Sequence, residues 1–320
     1  MTSATPESFA TTLGAPARDL PATPVAPEPV EFVDYRPSVW TSLKEAYRSK
    51  HLLWDISMSA LLAYITKYRL GAFWIVFQTF MQVIGYALIF GGGIFGLKAP
   101  NGMPYFLYTM VGLMGWVLFQ STVTITVRSF LRLKSLATDV YFPLLFVPIA
   151  GSAQAGLRFF CLFVGYILTS LYYWIAKGHL YVQLGPKYLF FSVAGLFLCA
   201  AFAWGIGMFT APLTAHTRDV RMVVKFVVPF WIFVTPVLYP IDHLKGTTRL
   251  LAELNPLSSP VEMAKVGLVG AGTVRPVAAL WSVGVIAAVF AAGVWFMNRY
   301  AASVVGLYKD DPDDDDEEIL

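Results

Sequence analysis

An arginine inside a long apolar run is the most informative single residue of the sequence. Arg158 interrupts residues 140–176, which are otherwise uncharged. An arginine at the centre of a membrane helix costs about 2.5–3.5 kcal/mol on insertion scales, so its side chain should face the bundle interior or water. Gln154 lies one turn earlier on the same helical face. The pair either lines a path for a negatively charged molecule, or joins helices by hydrogen bonds. The sequence leaves both open.

Other reactive side chains are too scattered to form an enzyme's active site. Asp55, Asp139 and Asp219 stand singly. Cys161 and Cys199 lie in apolar runs, which suits small buried hydrophobes. The four histidines have no metal-ligand spacing, since they stand at positions 51, 179, 216 and 243. No G-x-x-x-x-G-K-[ST] loop is present to cradle phosphates. We therefore expect no metal, no cofactor and no ATP hydrolysis on this chain.

The composition is typical of a membrane protein. Of the 320 residues, 57% are hydrophobic and 13% are charged, whereas a soluble domain has about 25% charged residues. The net charge of +3 gives no reason to expect a nucleic-acid partner. A bilayer core of roughly 30 Å needs about 20 apolar helical residues. The apolar runs therefore predict an all-α protein with six spans, at about residues 72–95, 104–127, 145–175, 188–212, 222–239 and 277–298.

Lysine and arginine are unevenly divided between the two sides of this topology. An even number of spans places both termini on one side. That side holds roughly twice as many basic residues as the other, including every cluster next to a span. Basic residues mark cytoplasmic loops. Both termini should therefore lie in the cytoplasm.

Both ends of the chain differ from the apolar region between them. Residues 1–36 are rich in proline and alanine, show no signal-peptide pattern and should be disordered. Residues 37–308 contain all the predicted spans. Residues 309–320 carry the run DDPDDDDEEIL, whose acidic groups repel one another and should remain solvated.

Three segments between the spans have patterns of their own. Residues 51–69 repeat apolar positions at near-helical spacing, which predicts an amphipathic helix in the cytoplasmic interface. Residues 128–143 should form a cytoplasmic loop. Residues 241–275 are too polar to span the bilayer and too apolar for a free loop. Two short helices, around TTRLLAELN and SSPVEMAKVGLVG, should therefore return to the outer surface there.

A break is expected just before these outer helices. The stretch FWIFVTPVLYP ends an apolar run with Pro236 and Pro240. Proline lacks the amide donor and clashes with the preceding turn. Such breaks occur at membrane depth only where the backbone faces protein or a watery cavity. The fifth span should thus end in a kink that leads to the outer helices, although a plain helix end marked by proline would give the same pattern.

Several motifs, in order along the chain, resemble the membrane subunits of ABC-type polysaccharide and polyol-phosphate exporters. They are ITKYRLGAFW at 65–74, VYFP at 140–143, the triplet Arg-Asp-Val at 218–220, PVLYP at 236–240 and Leu-Asn-Pro at 254–256. The resemblance covers about residues 40–308. It departs from the family pattern at Thr138 and Asp139, where basic residues are usual. The basic and small residues of the first motif, KYRLG, are also arranged differently.

The resemblance implies one half of a channel. Two copies would enclose a path for lipid-linked O-antigen, capsular polysaccharide or a similar glycan, and two copies of a separate nucleotide-binding subunit would hydrolyse ATP. The loop at 128–143 would contact that ATPase through Arg132, Lys134, Asp139, Tyr141, Phe142 and Pro143. Arg218 and Asp219 would lie at the cytoplasmic mouth. The outer segment would gate the exit through Pro236, Tyr239, Pro240, Asn255, Pro256 and Glu262.

Three other functions fit parts of the pattern. A permease of the same class could carry a drug or a simple lipid. An integral-membrane enzyme acting on polyprenyl-phosphate sugars would need metal ligands or a base at the membrane face, which the single aspartates do not supply. A secondary transporter would be expected to show paired inverted halves in its hydropathy, and none are visible.

Overall fold

Every regular element in the described part of the chain is a helix. The computed structural model describes residues 50–66, 71–128 and 146–309. The α-helices within these ranges are α1 Lys50–Thr66, α2 Gly71–Tyr86, α3 Tyr105–Val127, α4 Phe146–Gly151, α5 Ala153–Lys177, α6 Pro186–His216, α7 Arg218–Phe230, α8 Gly246–Leu254, α9 Ser258–Val269 and α10 Pro276–Lys309. A π-helical segment, Ala87–Gly92, continues α2. The helix predicted at 51–69 and the two predicted outer helices correspond to α1, α8 and α9.

Within the described ranges, five helical segments are long and apolar enough to cross a membrane. They are Phe73–Gly92, Tyr105–Val127, Pro148–Lys177, Pro186–Thr214 and Pro276–Tyr300. These segments confirm five of the six predicted spans. The remaining one, residues 222–239, is not a single helix, because α7 ends at Phe230 and a short 3-10 turn, Trp231–Phe233, follows. The count of six spans is therefore not confirmed.

The break in this segment begins earlier than the sequence predicted. Pro229 already lies inside α7, where it withholds one helical amide. The amide and the hydroxyl of Thr235 both donate to the carbonyl of Trp231, at 3.1 and 3.0 Å, and close a tight turn. Turns then continue to Pro240, where a second 3-10 turn, Ile241–His243, begins. Prolines along the whole segment, not only at its end, keep it from being one helix.

Helix α3 lies at the centre of the bundle. In its most apolar stretch, 78% of α3 is buried within the protein. The corresponding stretches of the other four candidate spans are 17–39% buried. Helix α3 is therefore enclosed by other helices, whereas the other spans leave more of their apolar surface exposed. Phe119 of α3 stacks on Phe202 of α6, with ring centroids 5.7 Å apart, and meets Trp231 edge-on at 5.9 Å. The interrupted segment at residues 222–239, hereafter the broken segment, is thereby packed onto the core.

The contacts of α6 and α10 show how the chain runs between them. Gly205 of α6 meets Gly293 of α10, and Phe209 stacks on Phe296 further along, so the two helices run parallel. Residues 217–275 must therefore return to the end of the bundle where both helices begin. Helix α9 packs against the start of α6 at that end, hereafter the α9 end. Helix α1 contacts the start of α5 at the opposite end of the bundle, hereafter the α1 end.

The crossing of α6 and α10 depends on the absence of side chains. A Cβ on Gly293 would collide with the carbonyl oxygen of Gly205, whereas a Cβ on Gly284 of the same helix would meet nothing within 4 Å. We expect Gly293→Val to lower the thermal midpoint in detergent, since overpacking costs about 1–3 kcal/mol. Gly284→Val is the matched control. Equal midpoints for the two variants would contradict this packing.

Candidate functional site

Lys265 and Glu262 form an ion pair inside the protein at the α9 end. Both lie in α9, and Nζ of Lys265 is 3.1 Å from Oε1 of Glu262, with 0% and 2% of the side chains exposed. Burial lowers the pKa of Lys265, and the neighbouring Glu262 carboxylate opposes this shift. Buried charges are tolerated only when other hydrogen bonds satisfy them as well. The remaining partners of the pair therefore define the site.

The broken segment supplies one of these partners for a reason visible in the sequence. In a continuous helix the carbonyl of Pro236 would accept from the amide of residue 240, but Pro240 has no amide hydrogen. Nζ of Lys265 donates a short hydrogen bond to that orphaned carbonyl instead. Pro240 thus leaves an acceptor without its local donor, and Lys265 of α9 satisfies it.

Helix α3 supplies the third partner and the space for the lysine. Nζ of Lys265 donates to the hydroxyl of Tyr108 at 2.7 Å. One turn further along α3, a Cβ on Gly112 would collide with the carbonyl of Val237 and would lie 3.1 Å from Cε of Lys265. Glycine at this position lets the broken segment and the lysine pack directly on α3. Lys265 of α9 therefore joins its own helix to α3 and to the turn of the broken segment that contains Thr235 and Pro236.

Asn255 fixes the same turn from the other side. Its Nδ2 donates to the hydroxyl of Thr235 at 2.9 Å. Its Oδ1 accepts from the indole of Trp231 and from the amide of Leu257, both at 3.2 Å. The asparagine of the Leu-Asn-Pro motif is buried and bridges the broken segment to the junction of α8 and α9. Its structural role follows from these three bonds.

A chain of polar contacts leads from the ion pair to the surface. The amide of Thr273 donates to Oε2 of Glu262 at 2.9 Å, and its hydroxyl donates a short bond to Asp242. Asp242 pairs with Arg249 at 3.2 Å, and Glu253 pairs with Arg249 at 3.0 Å and with Arg275 at 2.9 Å. Exposed ion pairs contribute little to stability. The buried part should therefore dominate the energetics of this network.

The residues predicted for the exit gate lie together at the α9 end. Pro236, Asn255 and Glu262 belong to the network, and the hydroxyl of Tyr239 donates to the carbonyl of Phe233 at 3.1 Å. Pro240 precedes the second 3-10 turn, and Pro256 is half-buried between α8 and α9. Their role as a gate stays a prediction.

Lys265, Tyr108 and Thr235 were not identified as site residues from the sequence. Lys265 had no predicted role. A usable signal was present, because glutamate and lysine stand three residues apart in the otherwise apolar stretch VEMAKVGLV, and such a spacing places both on one helical face. Tyr108 and Thr235 had no local signal, since their partners lie far along the chain.

Arg158 and Gln154 lie together near the α1 end. Nη2 of Arg158 donates to the hydroxyl of Tyr64 at 2.8 Å, and Nη1 lies 3.5 Å from the hydroxyl of Ser121. Nε2 of Gln154 donates to the carbonyl of Ala60 at 3.2 Å. Both side chains are therefore held by neighbouring helices, and they are not part of the network at the α9 end.

The other predicted site residues can be placed only in part. Arg132, Lys134, Asp139, Tyr141, Phe142 and Pro143 lie outside the described residues. Arg218 begins α7 at the α1 end, and its side chain also lies outside the described atoms. Asp219 is exposed in the first turn of α7, where an acidic group is favoured by the helix dipole.

Two helices present exposed aromatic faces. On α2, Phe77 stacks on Phe73 at 5.8 Å and on Trp74 at 5.5 Å, and these side chains are 40–59% exposed. On α7, an apolar strip is also exposed; it consists of Met222, Val223, Phe226, Val227 and Phe230. In a membrane protein such faces meet lipid, another subunit or a transported molecule.

The chain matches a known transporter family over most of its described length. Residues 51–269 match the family described as ABC-2 type transporter. An O-antigen export system permease protein RfbA from Myxococcus xanthus is 25% identical over 219 residues, which cover 68% of this chain and 80% of that protein. Two permeases of the same name from Klebsiella pneumoniae are 23% and 24% identical over 221 residues, which cover 68% of this chain and 73% of each. The chain is a multi-pass membrane protein that belongs to the ABC-2 type transporter family.

Proposed function

We propose that two copies of this chain form the channel of an ATP-driven exporter that moves a lipid-linked polysaccharide across the cytoplasmic membrane. Membership of the family implies an ABC transporter with a nucleotide-binding partner. The similar proteins are named as O-antigen export permeases, which supports a glycan as the cargo. The observation that carries the proposal is the exposed aromatic face of α2, to which α7 adds an exposed apolar strip.

These faces have the chemistry that a sugar chain requires. Sugar rings expose C–H groups that pack against aromatic rings, and the stacked Phe73, Trp74 and Phe77 offer a continuous ring surface on α2. A second copy of the chain would enclose these faces in a path instead of leaving them all to lipid. Apolar rings also allow a polar polymer to slide, because they make no strong directional bonds with it.

The α1 end is the cytoplasmic side in this proposal. It carries Arg128, Arg221, Lys225 and Arg299 beside the ends of the spans, as the distribution of basic residues predicts. The ATPase would bind at this end, through α1 and residues 128–143. The parallel run of α6 and α10 supports a sixth crossing by the broken segment, because residues 217–275 must return to the outer side.

Reconstitution tests the proposal directly. The chain and its ATPase partner should be co-purified, placed in proteoliposomes and supplied with a fluorescent lipid-linked glycan. We expect movement of the glycan that requires ATP, and little movement of the same lipid without its sugar chain. Equal movement of the bare lipid would favour a simple lipid as cargo. Transport without ATP would contradict the assignment.

A matched pair of variants tests the aromatic face. Phe77→Leu keeps an apolar side chain but removes the ring at the centre of the stack. If one ring contact with sugar is worth about as much as an aromatic pair, glycan transport should fall roughly two- to tenfold. Phe197→Leu is the control, since Phe197 is 62% exposed on α6. Equal transport by both variants would remove the face of α2 from the path.

A further inference from the structure

Two polar side chains join α1 to the bundle in a fixed register. Gln154 and Arg158 lie one turn apart on α5, and their partners Ala60 and Tyr64 lie one turn apart on α1. Residue numbers rise together along both helices from one contact to the next, so α1 and α5 run in the same direction here. The two helices are therefore held over a full turn, so that a shift of either would have to break both hydrogen bonds.

Helix α1 leaves large side chains exposed on part of its surface. Trp54 is 65% exposed and Leu62 is 54% exposed, so much of the helix does not contact the bundle. Besides α5, it contacts the short α4 and the start of α2. The hydrogen bonds from Gln154 and Arg158 add a fixed register to these packing contacts.

The end of α1 is also pressed against the start of α2. A Cβ on Gly71, the first residue of α2, would collide with the carbonyl oxygen of Ile65. The glycine of the first family-like motif thus permits direct backbone contact at this junction. A displacement of α1 would therefore reach α5 through the hydrogen bonds of Gln154 and Arg158, hereafter the clamp. It would reach α2, which carries the aromatic face, through this junction.

We propose that Arg158 is a positioning residue that transmits the motion of α1 to the membrane spans. This inference rests on the proposed ATP-driven transport and assigns Arg158 a different role from the substrate contact that the sequence left open. The guanidinium group already serves Tyr64 and Ser121, and it lies close to the end of α3, at the end of the bundle assigned to the ATPase. Gln154 secures the same register one turn away.

The sharpest variant removes a single oxygen atom. Tyr64→Phe keeps the ring but deletes the acceptor for Arg158. A hydrogen bond to a charged group contributes about tenfold to an equilibrium constant. We expect the complex to assemble and hydrolyse ATP, while the amount of glycan moved per ATP falls about tenfold. Arg158→Lys keeps a donor and should lose less than Arg158→Met. Tyr172→Phe, on the exposed outer part of α5, is the control and should match the wild type.

A distance measurement separates this inference from the choice of cargo. Spin labels at Leu62 of α1 and Phe160 of α5, both exposed, would be placed in a Cys161→Ser, Cys199→Ala background. We expect one narrow distance in the unmodified complex, with and without trapped nucleotide, and a broad distribution in Tyr64→Phe. If no glycan moves in the wild type, the proposed cargo fails while this distance still tests the clamp. An unchanged narrow distance in Tyr64→Phe would overturn the clamp, and so would unchanged transport per ATP in a transporting complex.

Discussion

Lys265→Met should sharply lower the yield and thermal midpoint of the folded protein. The substitution leaves Glu262, with 2% of its side chain exposed, without its counter-charge. Removing one partner of a buried ion pair costs about 3–5 kcal/mol. It also leaves the carbonyl of Pro236 and the hydroxyl of Tyr108 without their donor. Size-exclusion profiles and thermal unfolding in detergent would measure the loss.

A second substitution separates the ion pair from the other contacts of Lys265. Replacing both members, as Glu262→Met with Lys265→Met, removes the uncompensated charge, and apolar replacement of a buried pair is often close to neutral. We expect partial recovery, because Pro236, Tyr108 and Thr273 still lack their partners. Lys245→Met, at an exposed lysine of the same end, should have little effect. If Lys265→Met resembles Lys245→Met, the buried pair does not stabilise the α9 end.

Asn255→Ala should loosen the broken segment and the start of α9 together. The substitution removes three hydrogen bonds at once, those with Thr235, Trp231 and Leu257. Each buried polar group left unsatisfied costs roughly 1–3 kcal/mol. Faster hydrogen exchange is therefore expected across residues 231–240 and at the amide of Leu257, with a lower thermal midpoint.

A double-mutant cycle with Thr235→Val tests the direct contact. Valine is close to threonine in shape, and it deletes the hydroxyl that accepts from Asn255. The effects of the two substitutions should not add, because each removes the same hydrogen bond. Additive losses of stability, or unchanged exchange at residues 231–240 in Asn255→Ala, would show that Asn255 does not hold the turn.

Local patterns in the sequence predicted much of the architecture. The length of an apolar run decides whether a helix can cross a bilayer, and five predicted spans are present for that reason. Helices α8 and α9 were also predicted as short helices, since their mixed polarity excludes a span and their apolar spacing favours a helix. Their place on the outer surface stays a prediction. The broken segment was expected from Pro236 and Pro240, but its early start at Phe230 depends as well on Pro229 and on the Thr235 turn.

The sequence by itself determined that the chain is helical, crosses the membrane several times and breaks near its prolines, because each property depends on residues close together in the chain. Tertiary structure alone decided which groups satisfy the broken backbone and the charges within the bundle. Tyr108 and Lys265 are separated by 157 positions, and Tyr64 and Arg158 by 94. Buried polar groups are nearly always hydrogen-bonded. The sequence shows which polar groups lie in apolar segments, but it does not show their partners. The packing of α3, α5 and α9 selects the partner, because it determines which distant side chains come within hydrogen-bond distance.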